Sequence, residues 1–218
     1  MNSSVLGIIG LGNRVTSLLQ EKLELVEKTY GKLDRFGVAT FYEGRTKFLE
    51  TQGSLDLLSG FSTPARLVIA FIEQTHPDEP PLQPRPELYT NNALALVYSG
   101  QLANAKDIRF ELSTLGFHFE TQCESEVVLR LIYRYFKIGM SLSEAVRLSL
   151  KYLEGDFALI VLDTRHQELL ATRQGYALTI GVDQGTLYIG SNRRILNLIS
   201  YPMLQIPEGE AMILHSLF

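Results

Sequence analysis

The apolar positions of this chain change period several times, and each change marks an element. Val5 to Ile9 is a short apolar run stopped by Gly10-Leu11-Gly12-Asn13, which predicts a buried strand and a turn. From Val15 to Tyr30 the apolar residues Val15, Leu18, Leu19, Leu23, Val26 and Tyr30 recur at three and four residues, the pattern of a helix with one buried face, and Gly31 suits its end. Phe36 to Tyr42 and Thr46 to Glu50 flank Glu43-Gly44-Arg45 and predict a hairpin, because glycine supplies the positive φ of such turns. A short helical segment near Leu55 to Leu58 precedes a core strand over Arg66 to Ile72. Prolines at 77, 80, 81, 84 and 86 then predict an extended surface loop from Thr75 to Asn92, since each removes a backbone donor and fixes φ.

A strand is expected at Ala93 to Tyr98, then a loop, then helices over about Ser125 to Ile138 and Ser141 to Leu153. Ser141-Leu142-Ser143-Glu144 has the spacing of a capping box. After the helices the period falls to two: Phe157 to Asp163, Glu168 to Thr172, Ala177 to Val182 and Thr186 to Ile189 read as a four-strand meander. A short helix near Arg194 to Ile199 and a strand near Glu210 to His215 follow. Strands, adjacent helices, then strands again predict an α+β fold with antiparallel sheets and helices packed outside them. With 218 residues and no internal repeat, one large domain is the expectation.

Charge and cysteine usage narrow the function classes. Twenty Lys and Arg against 24 Asp and Glu give a net charge of −4 with no basic stripe, which argues against nucleic acid as a partner. The one cysteine, Cys123, excludes an intrachain disulfide and a thiolate metal cluster, and fits a reducing compartment. The first residues carry no basic leader, and no stretch approaches the roughly 20 apolar residues of a spanning helix. A cytoplasmic protein without membrane association is expected. The spacing of Gly7, Gly10 and Gly12 fits neither a dinucleotide fingerprint nor a Walker loop, so turn chemistry accounts for it. His118 and His166 lack clustered partners and are read as structural or exposed; neither a metal nor a cofactor is expected.

Several segments together resemble one family. Leu94-Ala95-Leu96-Val97-Tyr98-Ser99-Gly100-Gln101-Leu102-Ala103-Asn104 resembles the strand and turn "VVVHNGIIEN" of the glutaminase domain of glucosamine-6-phosphate synthase and related class II glutamine amidotransferases. Leu112 to Phe119 resembles "LKARGYTF", Glu124-Ser125-Glu126-Val127 "DTEV", and Asp163-Thr164-Arg165-His166 "DSRH". Ala171-Thr172-Arg173-Gln174-Gly175 and Ile206-Pro207-Glu208-Gly209-Glu210 resemble "AARSG" and "LEEGD". The order and spacing of these segments run through most of the chain. The resemblance implies the four-layer αββα sandwich of the N-terminal-nucleophile hydrolases. It implies a single glutaminase-type domain over residues 1–218 without the family's sugar-phosphate isomerase domain, so that acceptor chemistry would require another chain.

In that family the first residue of the mature chain is a cysteine whose thiol attacks glutamine's side-chain amide while its own α-amino group acts as base. The family start "CGIVG" falls on Leu6-Gly7-Ile8-Ile9-Gly10, so the nucleophile's position holds Leu6 and no catalytic residue is assigned. Ser3 and Ser4 lie two or three residues too early, roughly 3.3 Å of displacement for each extended residue. The arginine that clamps glutamine's carboxylate falls on Glu73, and the oxyanion asparagine on Ser99. What the resemblance leaves as a relic ligand pocket is Thr75, His76, Ser99, Gly100 and Glu124, the last at the place of the aspartate that holds the substrate's ammonium. Cys123 is read as a packing residue rather than a relocated nucleophile, because nothing positions a base beside it.

Two expectations follow. The first is a degenerate glutaminase-type domain without glutaminase activity, a binding or regulatory protein whose ligand is glutamine or a related amino acid and which works through a protein partner or self-association. The second is an amidotransferase or amidohydrolase subunit with an unrecognised nucleophile or a separate synthase partner.

Overall fold

A computed structural model of the protein describes residues 4–10, 12–61, 63–74, 87–91 and 93–215. Its elements run β1 (Ser4–Ile9), α1 (Val15–Tyr30), β2 (Arg35–Tyr42), β3 (Arg45–Gln52), a 3-10 helix (Leu55–Phe61), β4 (Leu67–Glu73), β5 (Glu87–Thr90), β6 (Leu94–Leu102), α2 (Ala105–Thr114), α3 (Glu124–Phe136), α4 (Leu142–Leu150), β7 (Gly155–Asp163), β8 (Glu168–Gln174), β9 (Thr179–Asp183), β10 (Thr186–Gly190), α5 (Arg193–Ile199), β11 (Tyr201–Gln205) and β12 (Met212–Leu214).

The strands form two antiparallel sheets. One has seven strands in the order β11-β9-β10-β1-β4-β2-β3, the other five in the order β12-β8-β7-β6-β5. Side-chain alternation builds the layers. Along β1, Val5 and Ile9 enter the core between the sheets with Ile69, Phe71, Val97 and Ile160. Leu6 and Ile8 point the other way, into a core with Leu19, Leu23 and Val26 of α1 and Ile195 and Leu196 of α5. On the far side, Leu96, Tyr98, Leu159 and Val161 meet Ile108 of α2, Val128 and Ile132 of α3 and Ala145 of α4. Three cores between four layers make an αββα sandwich, the α+β architecture expected.

Local chemistry explains most boundaries. Ser141 and Glu144 form the capping box, the Ser141 side chain accepting from the Glu144 amide while Glu144 accepts from the Ser141 amide at 3.0 Å. The β2–β3 turn places Glu43 and Gly44 at φ 50° and 77°, the two positive values a tight hairpin needs.

Three expectations are corrected. The four period-two strands are two hairpins in different sheets, because the chain crosses between sheets after β8: β7 and β8 pair in one, β9 and β10 in the other. Alternation reports a half-buried strand but not which sheet buries it. The stretch read as a loop before α3 contains α2, a helix that buries only Ile108 and Leu112 and so has too thin an apolar stripe to register as periodic. The segment from Thr75 to Asn92 carries β5, which pairs with β6 from Glu87↔Tyr98 to Thr90↔Ala95; residues 75–86 and 92 lie outside the described residues. The sequence reading also passed over β11, an edge strand holding Pro202 and a bulge between Pro202 and Leu204.

Candidate functional site

The segment that resembles the family's start, Leu6 to Gly10, lies in β1 and the turn after it, and the structure encloses Leu6. Leu6 is the third residue of a six-residue strand, 1% exposed, paired with Ala70 of β4 on one side and Gly190 of β10 on the other. Both backbone edges are thus used and the side chain fills apolar space against the helical layer. Ser4, two strand positions earlier, is wholly buried. Its hydroxyl donates to the Val5 carbonyl at 3.0 Å and accepts from the Asn192 amide at 3.3 Å, beside the Ser191 hydroxyl at 3.4 Å. It is a strand-to-helix tie. Ser3, Thr75 and His76 lie outside the described residues.

Ser99 and Gly100 sit together on β6, opposite Ala158 and Phe157 of β7. Ser99 shares the face of Ala95 and Val97 and is directed between the sheets. Gly100 has φ 156°, and a Cβ there would press on the Asp156 carbonyl and the Phe157 backbone. A cleft of about 330 Å³ opens beside it, lined by Gln101, Ala103, Gly155, Asp156 and Tyr176. Gly155, at φ 139°, and Gly175, at φ 71°, allow the turns around this cleft. Arg173 braces them: its Nε donates to the Ile206 carbonyl at 2.6 Å and its guanidinium to the Tyr176 carbonyl at 3.0 Å.

Glu124 opens α3, where a carboxylate gains from the helix dipole. Its Oε2 accepts from the Tyr98 hydroxyl at 3.0 Å and the Leu102 amide at 2.9 Å, so it clamps the helix to the end of β6. Ser99, Gly100 and Glu124 are therefore neighbours around one strand. Leu6 is not among them, since its side chain lies under the other sheet, in the layer of α1 and α5. Cys123 is the residue before α3; its amide donates to the Thr121 hydroxyl and its carbonyl accepts from Arg109.

Glu73 ends β4 with its side chain 3% exposed and pairs with Arg35 across the sheet at 3.2 Å. Arg35 also reaches Glu50 at 2.8 Å and lies over the Phe71 ring at 4.7 Å. Burial alone would lower the Arg35 pKa, but the hydrogen bonds and charges of Glu50 and then Glu73 raise it. A carboxylate–guanidinium–carboxylate bridge thus stands where the family resemblance would put a substrate clamp. Nothing in the sequence marked Arg35 for it, because its partner is 38 positions away and only strand register joins them.

One further acidic group is structural. Asp163, wholly buried, accepts from the Arg165 amide at 2.8 Å and faces His166 Nδ1 at 2.7 Å. That pairing raises the His166 pKa above its ordinary value, through the hydrogen bond first and the Asp163 charge second. A raised histidine stabilises the fold below its unfolded pKa and loses the contribution as pH rises through its folded one. Asp163→Asn is expected to return the His166 midpoint toward the ordinary value, as read by NMR titration of the ring protons. Among the described residues there is no cluster of His, Cys, Asp and Glu that would hold a metal, and no helix long and apolar enough to cross a membrane.

A model of the glutamine amidotransferase domain family matches residues 67–197. Glutamine–fructose-6-phosphate aminotransferase (isomerizing) of Bartonella henselae is 33% identical over 203 residues, 85% of this chain and 31% of the relative. The enzyme of that name from Zymomonas mobilis is 29% identical over 216 residues, 96% of this chain and 35% of the relative. The chain spans about a third of the length of these curated relatives. In shape it is similar to the glutamine phosphoribosylpyrophosphate amidotransferase of B. subtilis, with a TM-score of 0.75 at 21% identity, covering 97% of this chain and 47% of that one. The family match, the extent of sequence identity and the shared αββα fold agree, and the chain belongs to the glutamine amidotransferase domain family.

Proposed function

We propose that this protein is a glutaminase-fold domain that has given up amide hydrolysis and acts as a binding or regulatory module. The observation that carries the reading is Leu6. An N-terminal nucleophile must be reactive and must present a free α-amino group as base, and Leu6 has an alkyl side chain, with Ser4 and Val5 already paired ahead of it in the strand. The single thiol of the chain lies elsewhere, at Cys123 on the approach to α3.

The bound molecule in this reading is glutamine or a related amino acid. Glu124 is the group suited to its ammonium, and Ser99 with Gly100 lines the adjoining strand. The ion pair of Glu73 with Arg35 supports altered selectivity, because an incoming carboxylate meets a cation already shared by two anions. A protein partner or self-association would carry the regulatory output.

Ammonia release from glutamine is expected to stay at the level of the buffer, while calorimetry against glutamine and glutamate shows heat of binding to one of them. Ammonia release that survives Cys123→Ala would defeat the proposal and favour a hydrolase with another nucleophile. Silence in both assays would defeat the amino-acid ligand.

A further inference from the structure

We propose that the cleft between the β2–β3 hairpin and the β5–β6 turn is a binding site for a small carboxylate that carries an apolar group. The cleft has a volume of about 430 Å³ and is lined by Gly44, Arg45, Thr46, Phe48, Thr90 and Asn91. Two of these residues bring buried polar atoms, Thr46 Oγ1 and Asn91 Nδ2, that have no hydrogen-bond partner. Folded proteins rarely leave such groups unmatched, and an orphaned donor inside a cleft is a reason for something to bind there.

The orientation of the Asn91 amide is set by its neighbours. Its Oδ1 accepts from the amides of Ala93 and Leu94, both at 2.8 Å, so a flipped amide would set N–H against N–H. Nδ2 is therefore the group left over, and it can only donate. Arg45 is exposed and forms no ion pair among the described residues, which adds a cation to the rim. Thr46 and Phe48 are on the same face of β3, and Phe48 is 61% exposed, an aromatic surface beside the donors. The rim at Gly44 is open space, where even a Cβ would meet nothing within 4 Å.

Charge decides the ligand class. A fixed amide donor, a hydroxyl and a guanidinium, with no acid among the lining residues, select an oxyanion. The acids nearest in sequence are already engaged: Glu43 with the Tyr42 hydroxyl and Glu50 with Arg35. The Phe48 ring gives a carboxylate with an aryl or alkyl body an advantage over a bare inorganic anion. The site stands apart from Glu124 and does not depend on whether the protein hydrolyses glutamine.

The test is an NMR titration of the labelled protein with phenylacetate and, separately, with inorganic phosphate. Saturable amide shifts confined to residues 44–48 and 90–94 are expected for phenylacetate, with a Kd on the order of 1 mM. Asn91→Asp keeps the acceptor for the turn amides but replaces the donor with a negative oxygen, and should weaken phenylacetate binding at least about tenfold. Arg45→Gln, at an exposed position that leaves the fold intact, should weaken it about threefold or more. The proposal is overturned if phenylacetate gives no saturable shift up to about 10 mM, if it binds both variants as well as the parent, or if phosphate binds as tightly as phenylacetate.

Discussion

Replacing Glu126 with alanine is expected to be the most damaging single change, lowering stability by about 3 to 5 kcal/mol because it removes a buried carboxylate that several donors and the half-buried Arg130 share. Glu126 is fully buried in the first turn of α3. Its carboxylate accepts from the Glu120 amide at 2.9 Å, the Thr121 amide at 2.7 Å, the Thr121 hydroxyl at 2.8 Å and the Tyr89 hydroxyl at 3.0 Å, and Arg130 approaches to 3.3 Å. One side chain thereby holds the loop before α3, strand β5 and the next turn of the helix. Alanine would leave the Glu120 and Thr121 amides without that acceptor and Arg130 with only the Tyr89 hydroxyl and the exposed Glu120 carboxylate, and thermal unfolding should shift down by roughly 10 °C. Glu126→Gln keeps the shape and should cost less.

The same cluster gives a pH signature. Burial alone would raise the Glu126 pKa, but the amide and hydroxyl donors from Glu120, Thr121 and Tyr89 outweigh it and hold the group below its ordinary value. Tyr89 moves the other way, pushed up to about 12 by burial first and by Glu126 second. A carboxyl lowered in the folded state contributes stability that is present above its unfolded pKa and is lost as pH falls through its folded one. Urea unfolding of the parent should therefore lose stability on the acid side of the ordinary carboxylate range, and Glu126→Gln should flatten that limb.

Gly100→Ala is expected to follow closely, at about 3 kcal/mol from forced backbone contact and strained φ together. The added methyl would meet the backbone of Asp156 and Phe157, which are held in the β6–β7 ladder and cannot rotate aside as a side chain would. A denaturant midpoint displaced with an unchanged m-value would be the expected result; a wild-type midpoint would show that the ladder yields at this point. Because Ser99 and Glu124 are attached to the same strand, a Gly100→Ala protein that still folds should also bind its amino-acid ligand less well.

How far the sequence carried these conclusions depends on the range of the interaction. Helix α1 was legible to the residue because Val15, Leu19, Leu23 and Val26 repeat within one element. The capping box at Ser141 and the Glu43-Gly44 turn were legible for the same reason. The register that joins Arg35 to Glu73 is not written in either strand, and neither is the sheet switch after β8. Of the candidate site, Ser99, Gly100 and Glu124 were found through a resemblance of ordered short motifs rather than through any pattern of their own. The Tyr98 and Leu102 bonds that occupy Glu124, and the orphaned pair Thr46 and Asn91, needed side-chain positions to see.

The position of β1 bears on how the chain reaches its fold. This first strand is flanked by β4 and β10, so residues 4–9 wait for residues 186–190 before the middle of the seven-stranded sheet can close. Pairings of such sequence separation slow folding, because the entropy of closing the loop is lost before the contacts form. During synthesis one edge of the apolar strip from Val5 to Ile9 stays unpaired until residues 187–190 have been made. The partner on one edge, β4, follows at residues 67–72, and the partner on the other, β10, only at residues 187–190. Nascent chains of this protein are therefore expected to depend on chaperone protection more than an equally stable fold built from neighbouring elements would.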